Sequence, residues 1–174
     1  MQVLFDLLGR FSEPLLVIGG HALSAHGLSR QTIDVDCLIA VENRGTIDKY
    51  LRGAGFELLG ETENFARFSH PTHLMPDVDL LFVDRPTFEK LQANSIILQR
   101  GPVALLTPSL PHLIALKLHA IRNNPAREAR DLGDIIELLR ANPGAVSIDE
   151  LNSISLQFGP LGISEKLKSL QVTR

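Results

Sequence analysis

The chain has few of the residues that typify single-stranded nucleic-acid binding or an oxidising compartment. Its 174 residues include no tryptophan, one tyrosine and one cysteine. Platforms for single-stranded nucleic acid stack bases on aromatic side chains, so such a platform is poorly supplied here. The single cysteine, Cys37, cannot form a disulfide within the chain, which indicates a reducing compartment.

Excess positive charge and long apolar runs are also lacking. The formal net charge is −3, which argues against a protein held to duplex DNA by bulk charge. No apolar run approaches the roughly 20 residues that cross a bilayer. The first residues, MQVLFDLLGRF, lack the basic and then apolar pattern of a signal peptide. We therefore expect a cytoplasmic protein that binds neither membranes nor duplex DNA.

Hydrophobic patterning predicts an α/β (α+β) fold that continues into helices only. Strands are expected at 15–18, 34–40, 56–60, 65–70, 76–84, 95–99 and 101–106. Helices are expected at 2–11, 21–27, 43–54, 86–93, 108–124, 126–141, about 148–157 and 162–170. The change of character at Thr107-Pro108 predicts an α/β core over 1–106 and a helical region over 107–174 packed on it.

Four aspartates occupy apolar segments where a carboxylate is unfavourable. Asp34 and Asp36 lie in I-D-V-D-C-L-I, and Asp77 and Asp79 lie in P-D-V-D-L-L. Side chains alternate along a strand, so each pair shares a face, roughly 6 to 7 Å apart. Such carboxylates must be solvated, paired or metal-bound, and clustered oxygen ligands suit Mg²⁺ or Mn²⁺. One pair alone would more simply face water at a sheet edge, but both together favour a metal site.

A glycine pair between a predicted strand and a predicted helix adds a phosphate-binding candidate. Gly19-Gly20 follows L-L-V-I and precedes H-A-L-S-A-H-G. Backbone N–H groups can approach a phosphate there without a Cβ in the way, and the helix start favours an anion. Ser24 is close enough in sequence to add a hydroxyl. An ordinary tight turn is the alternative, since the stretch matches neither a Walker A loop nor G-x-G-x-x-G.

The six histidines do not indicate a metal centre of their own, because no Cys/His framework of zinc spacing accompanies them. His21, His26, His70 and His73 are expected on the surface or in loops. His21 is the one expected to line the predicted site.

The string G-G-H-A-L, then Arg30, then T-I-D-V-D resembles the nucleotidyltransferase superfamily with a DNA-polymerase-β-type palm. Within it, the pattern is most similar to the AbiEii/AbiGii-toxin-related branch and neighbouring small families. V-D-L-L-F around Asp79 resembles the strand of the third carboxylate. A-L-K-L-H-A-I-R and A-R-D-L-G-D-I-I-E-L-L resemble that branch's C-terminal motif, K-x-x-A…R…K-D-x-x-D. The resemblance covers roughly residues 15–140 and implies a mixed-sheet nucleotidyltransferase palm with a helical C-terminal part.

The resemblance implies a role for each matching residue. Asp34, Asp36 and Asp79 would be catalytic and hold two Mg²⁺ or Mn²⁺ ions, with Asp79 taking the proton from the attacking hydroxyl. Together with Ser24, the residues that would contact the nucleotide or its phosphates are Gly19, Gly20, Arg30, Thr32, Lys117, Arg130 and Asp131. Arg30 and Thr32 would act either on the phosphates or by placing the acidic strand.

Some of these positions leave alternatives open. Asp77 competes with Asp79 as the third carboxylate, and Asp79 is preferred because it lies further into the strand. Arg130 stands where the pattern has lysine, a mild change for a phosphate contact but not for a catalytic amine. Asp134 takes the next acidic position, outside the apolar arc of its helix, where it could equally pair with Arg130 at the surface. Lys117 could equally be a snorkelling lysine.

The predicted function is metal-dependent transfer of NMP from an NTP to a hydroxyl of a tRNA, a protein or a small molecule. The branch adds the expectation of a toxin–antitoxin or phage-defence role with a cognate antitoxin. Two alternatives remain at this point. The chain could be a catalytically inactive nucleotide-binding module, or its acidic face could bind a basic protein partner without metal or nucleotide.

Overall fold

The chain forms two compact units in a computed structural model that describes residues 1–72 and 75–172. The first unit comprises Met1–Ala25 and Ser29–Pro108, and the second comprises His26–Leu28 and the chain from Ser109 onward. The predicted division into a functional core over 1–106 and a helical region over 107–174 stays a prediction. His73 lies outside the described residues.

The first unit is built on a mixed seven-stranded sheet, as the sequence predicts. Its strands are β1 (Leu16–Val17), β2 (Val35–Ala40), β3 (Glu57–Glu61), β4 (Phe65–Ser69), β5 (Val78–Val83), β6 (Ile96–Arg100) and β7 (Val103–Thr107). Their order across the sheet is β3-β4-β5-β2-β1-β7-β6. The β2–β5 and β1–β7 pairs are parallel and the other pairs are antiparallel. Helices α1 (Gln2–Leu8), α2 (Gly19–Leu23), α3 (Arg44–Gly53) and α4 (Arg85–Ala93) belong to the same unit.

One face of the central strands carries the core of this unit. Cys37, Leu80 and Phe68 are at most 1% exposed and belong to a cluster that also contains residues of α1 and α3. Full burial of a Leu or Phe side chain stabilises the fold by about 1.5 to 3 kcal/mol. Because side chains alternate along a strand, the residue before each of these three lies on the opposite face. That opposite face carries the candidate site.

The second unit consists of helices and short 3-10 turns. Its helices are α5 (Leu110–Asn123), α6 (Glu128–Ala141), α7 (Ile148–Phe158) and α8 (Ile163–Val172). Pro111 lies in the first turn of α5, where a missing N–H costs no hydrogen bond. The Ser147 hydroxyl caps α7 by accepting from the backbone N–H of Glu150. Within the described part of the chain, none of the helices has the length and apolar character that crossing a membrane requires.

The elements differ from the sequence prediction mainly around the glycine pair. β1 has two residues rather than four, because α2 begins at Gly19 directly after Ile18. β2 begins at Val35, so Asp34 precedes the strand instead of belonging to it. His26, predicted to be on the surface, is 7% exposed and lies in the second unit. Its carbonyl there accepts a hydrogen bond from the Asn142 side chain at 2.8 Å.

Candidate active site

Three aspartates of the first unit bring carboxylate oxygens together on one face of the sheet. Asp36 in β2 and Asp79 in β5 are register partners on neighbouring parallel strands, and Asp34 directly precedes β2. One oxygen from each lies within 4.8 Å of the others. Asp79 is buried, and Asp34 and Asp36 are half-buried. Among the described residues this group of candidate metal ligands contains Asp79 and not Asp77.

The donor set fits a hard divalent cation. All three side chains offer oxygen, the ligand that Mg²⁺ and Mn²⁺ take in proteins. Mg–O distances near 2.1 Å place opposite ligands about 4.2 Å apart. At most one pair of the three oxygens can be opposite, and adjacent octahedral oxygens lie about 3 Å apart, so separations of up to 4.8 Å would have to shorten when a cation binds.

An arginine that the sequence analysis missed is bound to this cluster. Arg67 in β4 is the register partner of Asp79 across the antiparallel β4–β5 pair. Its Nε donates to Asp79 Oδ1 at 2.6 Å and its Nη2 donates to Asp79 Oδ2 at 2.5 Å. Nη2 also lies 3.9 Å from Asp34 Oδ2. The hydrogen bond to Asp79 is the main cause of a raised pKa for Arg67, so the site has a permanent positive charge.

The signal for Arg67 in the sequence is its position in F-A-R-F-S. Ala66 and Phe68 are buried in the core, so Arg67 between them must lie on the other face of the sheet. Alternation alone could therefore have placed an arginine on the acidic face. The register that sets it beside Asp79 depends on how β4 pairs with β5, which the sequence pattern does not give.

The Gly19-Gly20 turn packs directly against the same cluster. Gly19 has φ +63°, a conformation that favours glycine, and a Cβ added there would lie 2.0 Å from Asp36 Oδ2. A Cβ at Gly20 would lie 2.8 Å from the Thr32 Cβ. The backbone N–H of Ile18 also donates to the Asp36 carbonyl at 2.8 Å. Both glycines are therefore needed to let the turn approach Asp36 and Thr32, whatever they do for a phosphate.

The other predicted residues of this unit have identifiable local partners. The Thr32 hydroxyl donates to Asp34 Oδ1 at 3.1 Å, so it orients that carboxylate. Ser24 Oγ donates to the His21 carbonyl at 2.9 Å and accepts from Arg100 Nη2 at 2.5 Å. Arg100 donates to the His21 carbonyl as well. Arg30, in the segment before β2, is half-buried.

In the second unit, Lys117 is held by two buried carboxylates. Its Nζ lies 3.1 Å from Asp131 Oδ1 and 2.7 Å from Asp134 Oδ2. Arg127 Nε donates to Asp131 Oδ2 at 2.8 Å, and Arg130 Nε lies 3.8 Å from Asp131 Oδ1. Lys117, Asp131 and Asp134 are 6%, 1% and 7% exposed.

These contacts exclude two alternatives that the sequence left open. Asp134 is buried and paired with Lys117, so it is not a surface partner of Arg130. The apolar pattern of α6 predicts that Asp134 is exposed. Asp134 is buried because Lys117 on α5 neutralises its carboxylate. The ammonium of Lys117 is also inside the structure, so Lys117 does not snorkel. The nucleotide-binding roles of Lys117, Arg130 and Asp131 stay predictions.

The mixed sheet, with a carboxylate cluster beside a glycine turn, is the arrangement that the resemblance to nucleotidyltransferases predicts. The family model described as "Nucleotidyl transferase AbiEii toxin, Type IV TA system" matches residues 2–158. The chain belongs to that family. No curated protein matches the chain.

Solved structures with this fold include antibiotic-modifying enzymes. A nucleotidyltransferase-like protein from Paracoccidioides brasiliensis is 19% identical, with 99% of this chain and 90% of that chain covered and a TM-score of 0.59. ANT(2″)-Ia in complex with adenylyl-2″-tobramycin is 13% identical over 90% and 94%, with a TM-score of 0.66. The lincomycin-bound lincosamide antibiotic adenylyltransferase LnuA is 11% identical over 80% and 94%, with a TM-score of 0.58. At these identities the likeness establishes the fold.

Replacing Gly19 by alanine is expected to displace Asp36 and destabilise the first unit. A non-glycine residue at φ +63° costs about 1 to 2 kcal/mol, and the added Cβ also collides with the Asp36 carboxylate. The free energy of unfolding from urea titration measures the loss. The control is Gly45→Ala in α3, where a Cβ meets nothing within 4 Å and alanine should stabilise by up to about 1 kcal/mol. Equal stability of G19A and wild type would contradict the close approach.

Replacing Lys117 by methionine is expected to lower the free energy of unfolding by about 3 to 5 kcal/mol, because two buried carboxylates lose their cation. Lys166→Met is the matched control, since Lys166 is exposed and pairs with Glu128 outside the core. An exposed pair contributes at most about 1 kcal/mol. Similar losses for K117M and K166M in chemical denaturation would show that the Lys117 cluster is not the buried network described.

The Asp131 carboxylate should make stability depend on pH in the acid range. Burial raises the pKa of Asp131, but Lys117 and Arg127 together lower it below its ordinary value. A depressed folded pKa means that the charged group stabilises the fold above its unfolded pKa of about 3.9 and loses that effect as pH falls through the folded value. The stability difference between wild type and Asp131→Asn should therefore be largest near neutral pH and shrink below about pH 4. A difference that does not change with pH, in denaturation curves from pH 3 to 7, would contradict this.

Proposed function

We propose that this chain transfers NMP from an NTP to an acceptor hydroxyl in a reaction that requires Mg²⁺ or Mn²⁺, an activity of the EC 2.7.7 type. The observation that carries the proposal is the cluster of Asp34, Asp36 and Asp79 oxygens within 4.8 Å beside the Gly19 turn. Family membership supplies the reaction class. The proposed metal site lies within the first unit, and nucleotide contacts by Lys117, Arg130 and Asp131 stay part of the proposal.

The reaction joins the acceptor oxygen to the α-phosphorus and breaks the bond to the β-phosphate oxygen, which leaves as pyrophosphate. Divalent cations held by Asp34, Asp36 and Asp79 would neutralise charge on the triphosphate and on the attacking oxygen. Asp79 is the proposed acceptor of the hydroxyl proton. Thr32 keeps Asp34 oriented through its hydroxyl. The backbone at Gly19 and Gly20 is the proposed phosphate contact, with Ser24 and Arg30 nearby in the chain.

The acceptor is proposed to be a hydroxyl of a tRNA, a protein or a small molecule. The fold is shared with ANT(2″)-Ia, solved with an adenylylated tobramycin, and with a lincosamide adenylyltransferase. These relatives favour testing small hydroxylated molecules beside the macromolecules. The family description names a toxin of a type IV toxin–antitoxin system, and on that basis we include a cognate antitoxin and a cytoplasmic location in the proposal.

One observation favours the alternative of an inactive nucleotide-binding module. Asp79 already has a charged partner in Arg67, so the cluster is partly neutralised by the protein itself. An acidic surface for a basic protein partner is less favoured for the same reason. The assay below separates the three functions.

Transfer of label from α-labelled NTPs, one base at a time, tests the proposal in Mg²⁺ and in Mn²⁺. Acceptors are total tRNA, the protein itself, tobramycin, lincomycin and a cell lysate. We expect one base and one acceptor class to be labelled. Asp36→Ala should lower transfer by at least about a hundredfold, since several kcal/mol of charge stabilisation are lost.

Asp48→Asn is the matched control, because Asp48 is an acid of the same unit that pairs with Arg52 on α3. It should transfer label at the wild-type rate. NTP binding without transfer would establish the inactive module. Neither binding nor transfer would overturn the metal site and leave the acidic interaction surface.

A further inference from the structure

The feature that the proposed reaction does not use is the arginine on its carboxylate cluster. Asp36, Asp79 and Arg67 lie side by side on three neighbouring strands, since Asp36 pairs in register with Asp79 and Asp79 with Arg67. The strands of such a row are about 4.8 Å apart. Two negative charges and one positive charge therefore form a single line across the sheet.

The contacts of Arg67 are those of a bound cation. Its guanidinium takes both oxygens of Asp79 with two parallel hydrogen bonds, the strongest geometry for this pair. Nη2 also approaches Asp34 at 3.9 Å. Arg67 thus contacts two of the three carboxylates that the proposed metal ions would use.

We propose that Arg67 is a resident cation bound to Asp79 and competes with a divalent cation for this carboxylate. The inference rests on the proposed function, because it concerns the same metal site. Without nucleotide, Arg67 holds Asp79 and divalent ions bind weakly. A triphosphate gives the guanidinium another anionic partner and leaves Asp79 to the metal. Metal and nucleotide then bind cooperatively, because Arg67 contacts the triphosphate only when it leaves Asp79 to the metal.

Two properties favour exchange over a permanent support. The side chain of Arg67 is 42% exposed, whereas that of Asp79 is 10% exposed. The guanidinium can therefore move into solvent without opening the core, while Asp79 stays in place. A unit positive charge about 5 Å from a divalent ion lowers its affinity about tenfold even in a water-like dielectric. Arg67 must thus either weaken metal binding or move when metal binds.

The test is Mn²⁺ binding to the full chain without nucleotide, measured by electron paramagnetic resonance of free Mn²⁺. Arg67→Gln should bind Mn²⁺ about tenfold more tightly than wild type. Arg67→Lys keeps the positive charge but loses the paired hydrogen bonds of the guanidinium to Asp79. Its Mn²⁺ affinity should lie between those of wild type and R67Q. Arg52→Gln is the matched control, since Arg52 pairs with Asp48 on α3 and should leave Mn²⁺ affinity unchanged.

Equal or weaker Mn²⁺ binding by R67Q would overturn the inference, because Arg67 would then support Asp79 as a ligand. The proposed function would survive that result if Asp36→Ala removes Mn²⁺ binding. Mn²⁺ binding that D36A leaves intact, or no binding by either wild type or R67Q, would overturn the metal site itself and the inference with it. Binding by R67Q alone would support the inference.

A measurement on wild type keeps the inference testable if R67Q does not fold. The Nε–H of Arg67, assigned by its absence from the ¹H–¹⁵N spectrum of R67K, should be protected from solvent exchange in the metal-free protein. Adding Mg²⁺ with a non-hydrolysable NTP analogue should shift this signal and remove the protection. A signal that keeps its position and protection at saturation would show that Arg67 stays on Asp79, which overturns the exchange.

Discussion

The register between β2 and β5 is the constraint on which the site depends. It pairs Asp36 with Asp79 and, on the other face, buries Cys37 and Leu80. A slip by one residue would move every side chain of β2 to the opposite face, which would bury carboxylates and expose the core. The apolar face therefore fixes the position of the acids. Packing of the core therefore offsets the repulsion between the Asp36 and Asp79 carboxylates, which the register sets side by side.

The close approach of the glycine turn follows from that fixed position. Asp36 cannot move away from the turn without breaking the sheet register. The backbone after β1 must therefore adopt a conformation that leaves room for the Asp36 carboxylate. It does so with Gly19 at φ +63°, where a Cβ would lie 2.0 Å from the Asp36 carboxylate. From the sequence, the glycines are candidates for phosphate binding, with an ordinary tight turn as the alternative. Packing against Asp36 and Thr32 is a second and independent reason for them, which any phosphate contact would share.

The sequence predicted the features that depend on local pattern. The order of strands and helices followed from apolar periodicity, whereas the mixed sheet and the family followed from the resemblance carried by G-G-H-A-L with T-I-D-V-D. Arg67 beside Asp79 and the Lys117 cluster were not predicted, because each depends on which elements pair and in what register. Asp134 shows the reason most clearly, since a helical wheel reads an aspartate as exposed unless the partner cation is known. Long-range ion pairs leave no periodic signal.

The Lys117 and Arg67 clusters both combine acids with a cation, and the exposure of the cation differs between them. Lys117 is 6% exposed between two buried carboxylates, and removing it from them would cost about 3 to 5 kcal/mol. For Lys117 to bind a phosphate as well, its three N–H groups would have to be shared rather than released. Arg67 is 42% exposed and its partner is set in a sheet, so only the arginine has to move. The buried Lys117 cluster is suited to stabilising the packing of its helices. The half-exposed Arg67 cluster is suited to an exchange of partners during binding.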